Sequence, residues 1–213
     1  MIRVGITDDH VLFRKGLNLL VSNFQNIKVV LEASNGKELI EKLKHDSIDI
    51  LLLDLQMPEM DGFETCMKIR ELYPNIKILV LTFLNETDTV RKIMQMDAQG
   101  YFTKNTSPGE LENAIRKLDK NGFYFEKNLA SIIEEISDEK DITISFTERE
   151  LEIINLTLNE CIGNEIAERL FISPRTVEVH KRNLMEKTGS KNFMGVVAYA
   201  LLHKFISLNN MNH

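Results

Sequence analysis

Five side chains with the chemistry of a phosphoryl-transfer site stand at or just beyond the ends of apolar runs: Asp8, Asp9, Asp54, Thr82 and Lys104. Close carboxylates repel one another and raise one another's pKa values unless a hard cation neutralises them. Mg²⁺ suits such a set, because it takes oxygen ligands from one or two carboxylates and bridges to phosphate oxygens. A carboxylate such as Asp54 can attack a phosphoryl donor, while an ammonium and a hydroxyl stabilise the transferring oxygens.

The elements that must bring these side chains together are predicted from hydrophobic periodicity. Apolar strand-like runs lie at 2–7, 28–33, 48–53, 76–81 and 100–102. Helix-period segments alternate with them, marked by Leu12/Phe13/Leu17/Leu20, Leu39/Ile40/Leu43, Phe63/Met67/Ile69, Val90/Ile93/Met94 and Leu111/Ala114/Ile115/Leu118. This alternation predicts a doubly wound, flavodoxin-like α/β fold with a five-stranded parallel sheet between helices. Sites in such sheets form beyond the carboxyl ends of the strands, so the five side chains are expected on one rim.

Composition and charge exclude several classes of protein. The chain has 213 residues, 43% of them hydrophobic, and a formal net charge of −6, which suits two domains with real cores. The sequence contains no run of 18 apolar residues and enters a strand pattern at Ile2, so a cytoplasmic protein without membrane association is expected. Cys66 and Cys161 lack CxxC or Cys/His spacing, which predicts a reduced compartment and no structural zinc.

A linker with a short helix is predicted at 121–145, between a first domain at 1–120 and a second at 146–213. The linker carries six acidic and two basic side chains, including the charged stretch SDEKD. Beyond it the strand pattern disappears. The polar, charged composition of this segment therefore marks the boundary between an α/β domain and a helical one.

Four helices are predicted in the second domain from their start signals. Thr147 and Glu150 form a capping box ahead of the first, whose inward face carries Leu151, Ile154 and Leu158. The second helix covers about 164–170, the third about 174–187 after the Ser173-Pro174 start signal, and the fourth 192–205. Two short helices joined by a tight turn predict a helix-turn-helix.

The third helix has two faces. Val177 and Leu184 belong inside, whereas the opposite stripe consists of Arg175, Glu178, Val179 and Arg182. Such a stripe can bond guanine, accept from cytosine and touch a thymine methyl. Phosphate contacts are predicted for Arg175, Thr176, Lys181, Lys187 and Lys191. The stripe alone is equally compatible with a solvated charged face, because residues 146–213 carry eight basic and eight acidic side chains.

Residues 1–120 resemble a response-regulator receiver domain. The resemblance rests on an ordered set of motifs: the acidic pair Asp8/Asp9, Asp54 within DLQMPEMDG, Thr82, and GYFTK with Lys104. It implies that Asp54 accepts a phosphoryl group, which Thr82 and Lys104 stabilise.

The same resemblance assigns the metal ligands and a switch residue. It implies that Mg²⁺ is bound by Asp9, Asp54 and the backbone carbonyl of Gln56, with Asp8 acting through water. Tyr101 matches the aromatic position that moves inward when the phosphoryl group arrives. His10 is interpreted as a helix-start residue rather than a ligand, since no other histidine or cysteine lies nearby in the sequence.

Residues 146–206 resemble a LuxR-type DNA-binding domain, through FTERELEIINL, EIAERLFISPRTVEVHKRNLMEKTG and the last helix. The resemblance implies base contacts by Glu178, Val179 and Arg182. It also implies a dimer surface on the fourth helix, formed by Val196, Val197, Ala200 and Leu201. Two departures concern the second helix: Glu160 stands where relatives often have glycine, and Ile162 replaces the usual serine or threonine cap, so a late start or fraying is expected, with Asn164 as a substitute cap.

The whole chain thus resembles a NarL/FixJ-type response regulator. The expected partners are a sensor histidine kinase, double-stranded DNA with two half-sites, RNA polymerase, and a second copy of the chain after phosphorylation. No catalytic turnover is expected beyond the receiver's own phosphorylation and dephosphorylation. Two alternatives are a receiver that acts without phosphorylation and an aspartyl-phosphate hydrolase of the haloacid-dehalogenase type. The hydrolase normally needs an acid two residues after its nucleophile, where this chain has Gln56.

Overall fold

The computed structural model describes residues 1–82, 96–104, 107–125 and 144–207. The chain forms two compact units. The first contains a sheet between helices, and the described part of the second contains helices only. The helix predicted around Val90 and most of the predicted linker lie outside the described residues.

The sheet of the first unit has six strands: β1 Ile2–Thr7, β2 Ile27–Ala33, β3 Ile50–Asp54, β4 Lys77–Thr82, β5 Gly100–Thr103 and β6 Tyr124–Phe125. Their order is β2-β1-β3-β4-β5-β6. The pairs β1–β2, β1–β3, β3–β4 and β4–β5 are parallel. The predicted five-stranded parallel sheet is confirmed, and β6 adds two residues beyond its edge.

Strand β3 is buried along its whole length, with Ile50 to Leu53 fully inaccessible and Asp54 3% exposed. A strand with helices on both faces reads as a continuous apolar run rather than an alternating one. The apolar run that ends at Asp54 is therefore a central strand of the sheet, and its burial fixes the position of Asp54.

The described helices of the first unit are α1 Val11–Ser22, α2 Gly36–Lys42, α3 Gly62–Leu72 and α4 Pro108–Asn121. Helix α4 begins with a capping box between Ser107 and Glu110 and ends at Gly122, whose φ of 80° is in the left-handed region that glycine tolerates. Because α4 and then β6 continue past residue 120, the α/β fold extends slightly beyond the predicted boundary.

The second unit contains α5 Glu148–Leu158, α6 Gly163–Arg169, α7 Pro174–Thr188 and α8 Phe193–Leu202. The predicted capping box of α5 is present: the Thr147 N–H donates to Glu150 Oε2 at 2.8 Å, and the Glu150 N–H donates to Thr147 Oγ1 at 3.3 Å. Helix α8 ends three residues earlier than the predicted 205, because the chain turns there with Lys204 at a φ of 56°.

The start of α6 differs from the expectation of a late start capped by Asn164. The helix begins at Gly163 with Ile162 as its N-cap residue. The isoleucine side chain accepts no hydrogen bond, but its N–H donates to Glu165 Oε2 at 3.0 Å, so half of a capping box remains. Glu160, just before it, has a φ of 65°, which explains why glycine suits that position.

Among the described residues, no helix combines the length and the apolarity that a bilayer crossing requires.

Candidate functional site

The sheet brings the predicted acidic side chains to one rim. β1 and β3 are parallel neighbours, and Thr7 is paired with Leu53, so the residues that follow them emerge side by side. Asp8 is fully buried and Asp54 nearly so, whereas the Asp9 side chain is 31% exposed. This rim lies where the strand order changes direction at β1, the position at which open α/β sheets form their sites.

Lys104 joins the two buried carboxylates. Its ammonium lies 2.8 Å from Asp8 Oδ2 and 2.8 Å from Asp54 Oδ2, and its side chain is only 3% exposed. The ammonium also lies 4.9 Å from the centre of the Phe13 ring, which adds a cation–π contact on the side of α1. A buried cation shared by two carboxylates neutralises part of their repulsion and is placed to contact oxygens of a group bound to Asp54.

The Asp54 carboxyl is destabilised in its charged form. Burial raises its pKa, and the Lys104 ammonium and the Gln56 N–H, 3.4 Å from Oδ1, lower it only in part. Carboxylates held in a buried pocket with perturbed pKa values are typical of functional sites. Because the pKa of Asp54 is raised, the loss of hydration on burial outweighs the attraction of the Lys104 ammonium. The fold therefore holds the charged carboxylate at a cost in stability.

The start of helix α3 packs directly against the backbone of Asp54. A Cβ at Gly62 would lie 2.2 Å from the Asp54 carbonyl oxygen and 2.6 Å from Leu55 Cα, and the Gly62 N–H donates to the Leu55 carbonyl at 3.0 Å. In the turn between β3 and α3 the left-handed φ, 66°, belongs to Glu59, and Gly62 allows the close packing of α3 against the end of β3.

Four potential ligand atoms converge at the rim, one each from Asp8, Asp9, His10 and Asp54, all within 4.8 Å of one another. Carboxylate oxygens in this number suit Mg²⁺, and the Asp54 side chain is only 4% exposed, with Oδ2 contacting the Lys104 ammonium. The acidic set therefore fits the cation that its motif implies. When bound, Mg²⁺ would neutralise the carboxylates and the charge on a phosphoryl group.

His10 is the member of this group that sequence reasoning set aside. Its ring Nδ1 lies 2.8 Å from Asp9 Oδ1 and 3.5 Å from Asp8 Oδ1. The only signal in the sequence was its adjacency to the acidic pair. The prediction that it begins a helix is confirmed, since it is the N-cap residue of α1.

The structure describes only one of the two side chains predicted to respond to phosphorylation, Thr82 and Tyr101. Thr82 ends β4 and is paired with Thr103, but its side chain lies outside what the structure describes. Tyr101 is fully buried. The expected inward movement of Tyr101 therefore does not start from an exposed side chain in this structure.

The third helix of the second unit, α7, presents the predicted faces. Its start is capped as expected, with the Thr176 N–H donating to Ser173 Oγ at 3.1 Å. Val177 and Leu184 are fully buried. The opposite stripe is exposed: Arg175, Glu178, Val179 and Arg182. Val179 is 42% exposed despite being apolar, which is the arrangement that a base-contacting methyl group requires.

Two of the lysines predicted to contact phosphates already have contacts within the unit. Lys187 pairs with Glu150 Oε2 at 2.8 Å and lies 5.3 Å from the centre of the Phe146 ring. Lys181 lies 5.2 Å from the centre of the Phe193 ring, and burial lowers its pKa. Of the three remaining side chains in this set, Arg175 and Lys191 are exposed and Thr176 is partly buried.

The four residues of the predicted dimer surface on α8 are fully buried in this structure: Val196, Val197, Ala200 and Leu201. The helix has the sequence FMGVVAYALL, which is apolar on all sides, and a helix of that kind is buried rather than half exposed. The dimer surface therefore stays a prediction, and it requires these side chains to become accessible.

The fold and the two sites together define a class of protein. A parallel α/β sheet with a buried aspartate, an acidic pair and a bridging lysine on its rim is joined in one chain to a helix-turn-helix unit with an exposed polar stripe. This combination defines a two-domain response regulator.

Comparison with known proteins gives the same result. The family model described as "Response regulator receiver domain" matches residues 4–116, and the model described as "Bacterial regulatory proteins, luxR family" matches residues 144–200. The oxygen regulatory protein NreC of Staphylococcus aureus (strain JH9) is 34% identical over 214 residues, which cover 96% of this chain and 99% of NreC. The chain belongs to the response regulators of the NarL/FixJ type, with a receiver domain and a LuxR-type DNA-binding domain.

Solved structures of a second regulator are also similar. A structure of two RcsB dimers bound to two parallel DNAs is 25% identical with a TM-score of 0.60, covering 93% of this chain and 96% of that one. RcsB from Salmonella enterica serovar Typhimurium, bound to promoter rprA in the presence of phosphomimetic BeF3-, is 25% identical with a TM-score of 0.58, covering 97% and 100%.

Proposed function

We propose that this response regulator binds DNA under the control of phosphorylation at Asp54. A sensor histidine kinase supplies the phosphoryl group, and the modified receiver shifts the chain toward a DNA-binding dimer that regulates transcription. The observation that carries the proposal is the Lys104 ammonium, 2.8 Å from Asp54 Oδ2 and from Asp8 Oδ2, in a nearly inaccessible pocket at the rim of the sheet.

The receiver residues take distinct roles in this proposal. Asp54 Oδ1 or Oδ2 attacks the phosphorus atom, the bond to the donor nitrogen breaks, and the Lys104 ammonium stabilises the oxygens of the transferred group. Asp9, Asp54 and the Gln56 carbonyl would hold Mg²⁺, Asp8 would act through water, and the ion would neutralise charge on the phosphoryl oxygens. Added charge at a buried strand tip requires new partners, and the hydroxyl of Thr82 is the assigned one.

On the DNA side, Glu178, Val179 and Arg182 read base edges, while phosphates are contacted by Arg175, Thr176, Lys181, Lys187 and Lys191. The exposure of the stripe and the burial of Val177 and Leu184 support this assignment. RcsB, a similar protein, has been solved as dimers on DNA. A dimer of this chain would place two copies of α7 on half-sites about one helical turn apart. RNA polymerase is a further proposed partner, and the cytoplasm is the proposed site of action.

The proposal is tested by treating the full chain with a small-molecule phosphodonor and Mg²⁺. The expected product is one added phosphoryl group, detected by mass spectrometry, that is absent from Asp54→Asn. Asp61→Asn is the matched control, because Asp61 is a nearby exposed carboxylate whose side chain caps α3, and asparagine preserves that bond. Selection of bound sequences from random oligonucleotides, with and without phosphodonor, then measures the DNA response.

Receiver chemistry of this kind is stoichiometric rather than catalytic, so we propose no enzymatic activity on other substrates. An aspartyl-phosphate hydrolase would need a second acid near the nucleophile, and position 56 carries glutamine. Turnover of a phosphate ester by the purified protein, lost in Asp54→Asn, would favour the hydrolase. DNA binding that is the same with and without phosphodonor, and in Asp54→Ala, would favour a regulator that works without phosphorylation.

A further inference from the structure

We propose that Phe171 is a further DNA-reading residue, whose ring packs on the methyl group of a thymine at the edge of each half-site. The inference rests on the proposed function, because it concerns the same DNA-binding unit. It adds an apolar contact from the turn before α7 to the base-edge contacts assigned to that helix.

The first observation is the exposure of the Phe171 ring. Phe171 is 95% exposed, although phenylalanine is among the residues most often found fully buried. It is also the most exposed large hydrophobic side chain in the part of the chain that the structure describes. Such a ring gains almost nothing from folding, and its whole apolar surface is available to a bound molecule.

The second observation is that the backbone holds Phe171 in an unfavourable conformation. Its φ of 53° lies in the left-handed region, which is costly for a residue with a Cβ and suits glycine better. The Phe171 N–H donates to the Glu168 carbonyl at 3.2 Å, so the residue is tied to the end of α6. The next N–H, that of Ile172, donates to the Ala167 carbonyl at 3.0 Å. Strained residues held in this way concentrate at functional sites.

The third observation is the position of Phe171 beside the start of α7. The turn that carries it joins α6 to α7, and Ser173, two residues later, is the N-cap residue of α7. In helix-turn-helix proteins the second helix lies in the major groove with its N-terminal residues at base edges. Two residues of chain span at most about 7 Å, so the Phe171 ring is within reach of DNA at that end of the helix.

The charges near Phe171 in the sequence favour DNA over a protein as its partner. Arg169 and Arg175 stand on either side of the turn, and both are exposed. Exposed arginines of this kind can bond phosphates and so bring the turn against the duplex. Glu168 is exposed as well, but it belongs to α6 and is further from the start of α7.

The choice of thymine follows from the chemistry of the major groove. The C5-methyl group of thymine is the apolar group that bases present there, and phenylalanine is one of the side chains that contact it. Val179 is assigned a methyl contact from within α7. Phe171 precedes the helix, so its thymine is expected at a different base pair, toward the end of the half-site that faces the start of α7.

The test measures the affinity of the full chain, treated with a phosphodonor and Mg²⁺, for a site that the wild type selects from random oligonucleotides. Each thymine of the site is replaced in turn by uracil, which removes only the C5-methyl group. At one position in each half-site, uracil is expected to weaken wild-type binding about fourfold and to leave binding by Phe171→Gly unchanged. On the thymine site, Phe171→Gly is expected to bind about tenfold more weakly than the wild type.

The matched control is Glu160→Gly, because Glu160 also has a left-handed φ, 65°, and lies in the same unit. It relieves the same kind of backbone without removing a ring, so it is expected to bind at least as tightly as the wild type and to keep every response to uracil. Since glycine suits the backbone at 171, Phe171→Gly is expected to resist urea better than the wild type, and loss of fold cannot then explain its weaker binding.

Binding by the wild type tests the proposed function, and the comparison with Phe171→Gly tests this inference. If Phe171→Gly bound the thymine site as tightly as the wild type, the inference would be overturned, DNA binding by α7 would stand, and the ring would be assigned to a protein partner. Weaker binding by Phe171→Gly with every response to uracil retained would also overturn it, because the ring would then read no thymine methyl group.

Discussion

Replacing Gly62 by alanine tests whether the backbone of Asp54 is held by direct packing against α3. The added Cβ would lie 2.2 Å from the Asp54 carbonyl oxygen and 2.6 Å from Leu55 Cα. Both contacts are with backbone, so no flexible side chain can move aside, and the start of α3 must shift relative to the end of β3. Overpacking of this kind costs about 1–3 kcal/mol, occasionally more.

The same chain offers a control with the opposite sign. Gly16 lies within α1, and a Cβ there would meet nothing within 4 Å. Gly16→Ala should therefore gain about 0.8–1 kcal/mol from helix propensity, whereas Gly62→Ala should lose about 2 kcal/mol after any such gain is subtracted. Both glycines belong to the same unit, so a single urea transition followed by circular dichroism reports on both.

Gly62→Ala should also slow phosphorylation of Asp54 by a small-molecule donor. A shift of the Asp54 carbonyl, which the added Cβ would contact, also moves the Asp54 side chain. Gly16→Ala should leave that rate unchanged. If Gly62→Ala were as stable as Gly16→Ala, or phosphorylated at the wild-type rate, the claim that α3 fixes the phosphoacceptor would be refuted.

Three further predictions concern stability. Ile162→Thr should stabilise the chain by about 1 kcal/mol in urea denaturation, because α6 lacks a side-chain cap; no gain would contradict the cap assignment. Phe171→Gly should stabilise the chain by about 1 kcal/mol in the same assay, because Phe171 is 95% exposed and has a left-handed φ of 53°. A loss of stability would mean that the phenylalanine ring makes a stabilising contact. Glu38, whose pKa is lowered to about 2 by hydrogen bonds from Lys42 and Ser34, should stabilise the fold relative to glutamine by ~0.5 kcal/mol above pH 4.5. That difference should vanish as pH falls toward 2, and one that persists there would contradict its origin in the ionised carboxylate.

The receiver unit was predictable because its pattern is redundant. The apolar run that ends at Asp54 is long and uninterrupted, and parallel strands buried on both faces leave few other arrangements. Once the strands are parallel, the carboxyl ends of β1, β3 and β5 must meet at one rim, so the placement of Asp8, Asp54 and Lys104 follows from topology.

Features that depend on exact three-dimensional contacts were not predictable. The contact between the His10 ring and Asp9 depends on which way the ring turns, and adjacency to the acidic pair alone does not reveal that. A glycine at position 62 is compatible both with a turn and with close packing of two backbones. Only the distance from Gly62 to the Asp54 carbonyl shows that close packing is the reason. The start of α6 at Gly163 depends on the Ile162 N–H reaching Glu165, and a search for serine or threonine caps overlooks such a bond.

The burial of α8 could have been expected from its sequence. FMGVVAYALL has no polar side, so periodicity predicts a helix that is buried all round, including Val196 and Val197. A dimer that forms through α8 therefore requires a state in which these side chains are exposed.

The measurement that tests the central claim most directly is the affinity of the full chain for a selected DNA site, before and after treatment with a phosphodonor and Mg²⁺. The wild type should bind more tightly once phosphorylated, with a matching increase in dimer by analytical ultracentrifugation, and Asp54→Asn should show neither change. Equal DNA affinity of the untreated wild type, the phosphorylated wild type and Asp54→Asn would contradict control of DNA binding through Asp54.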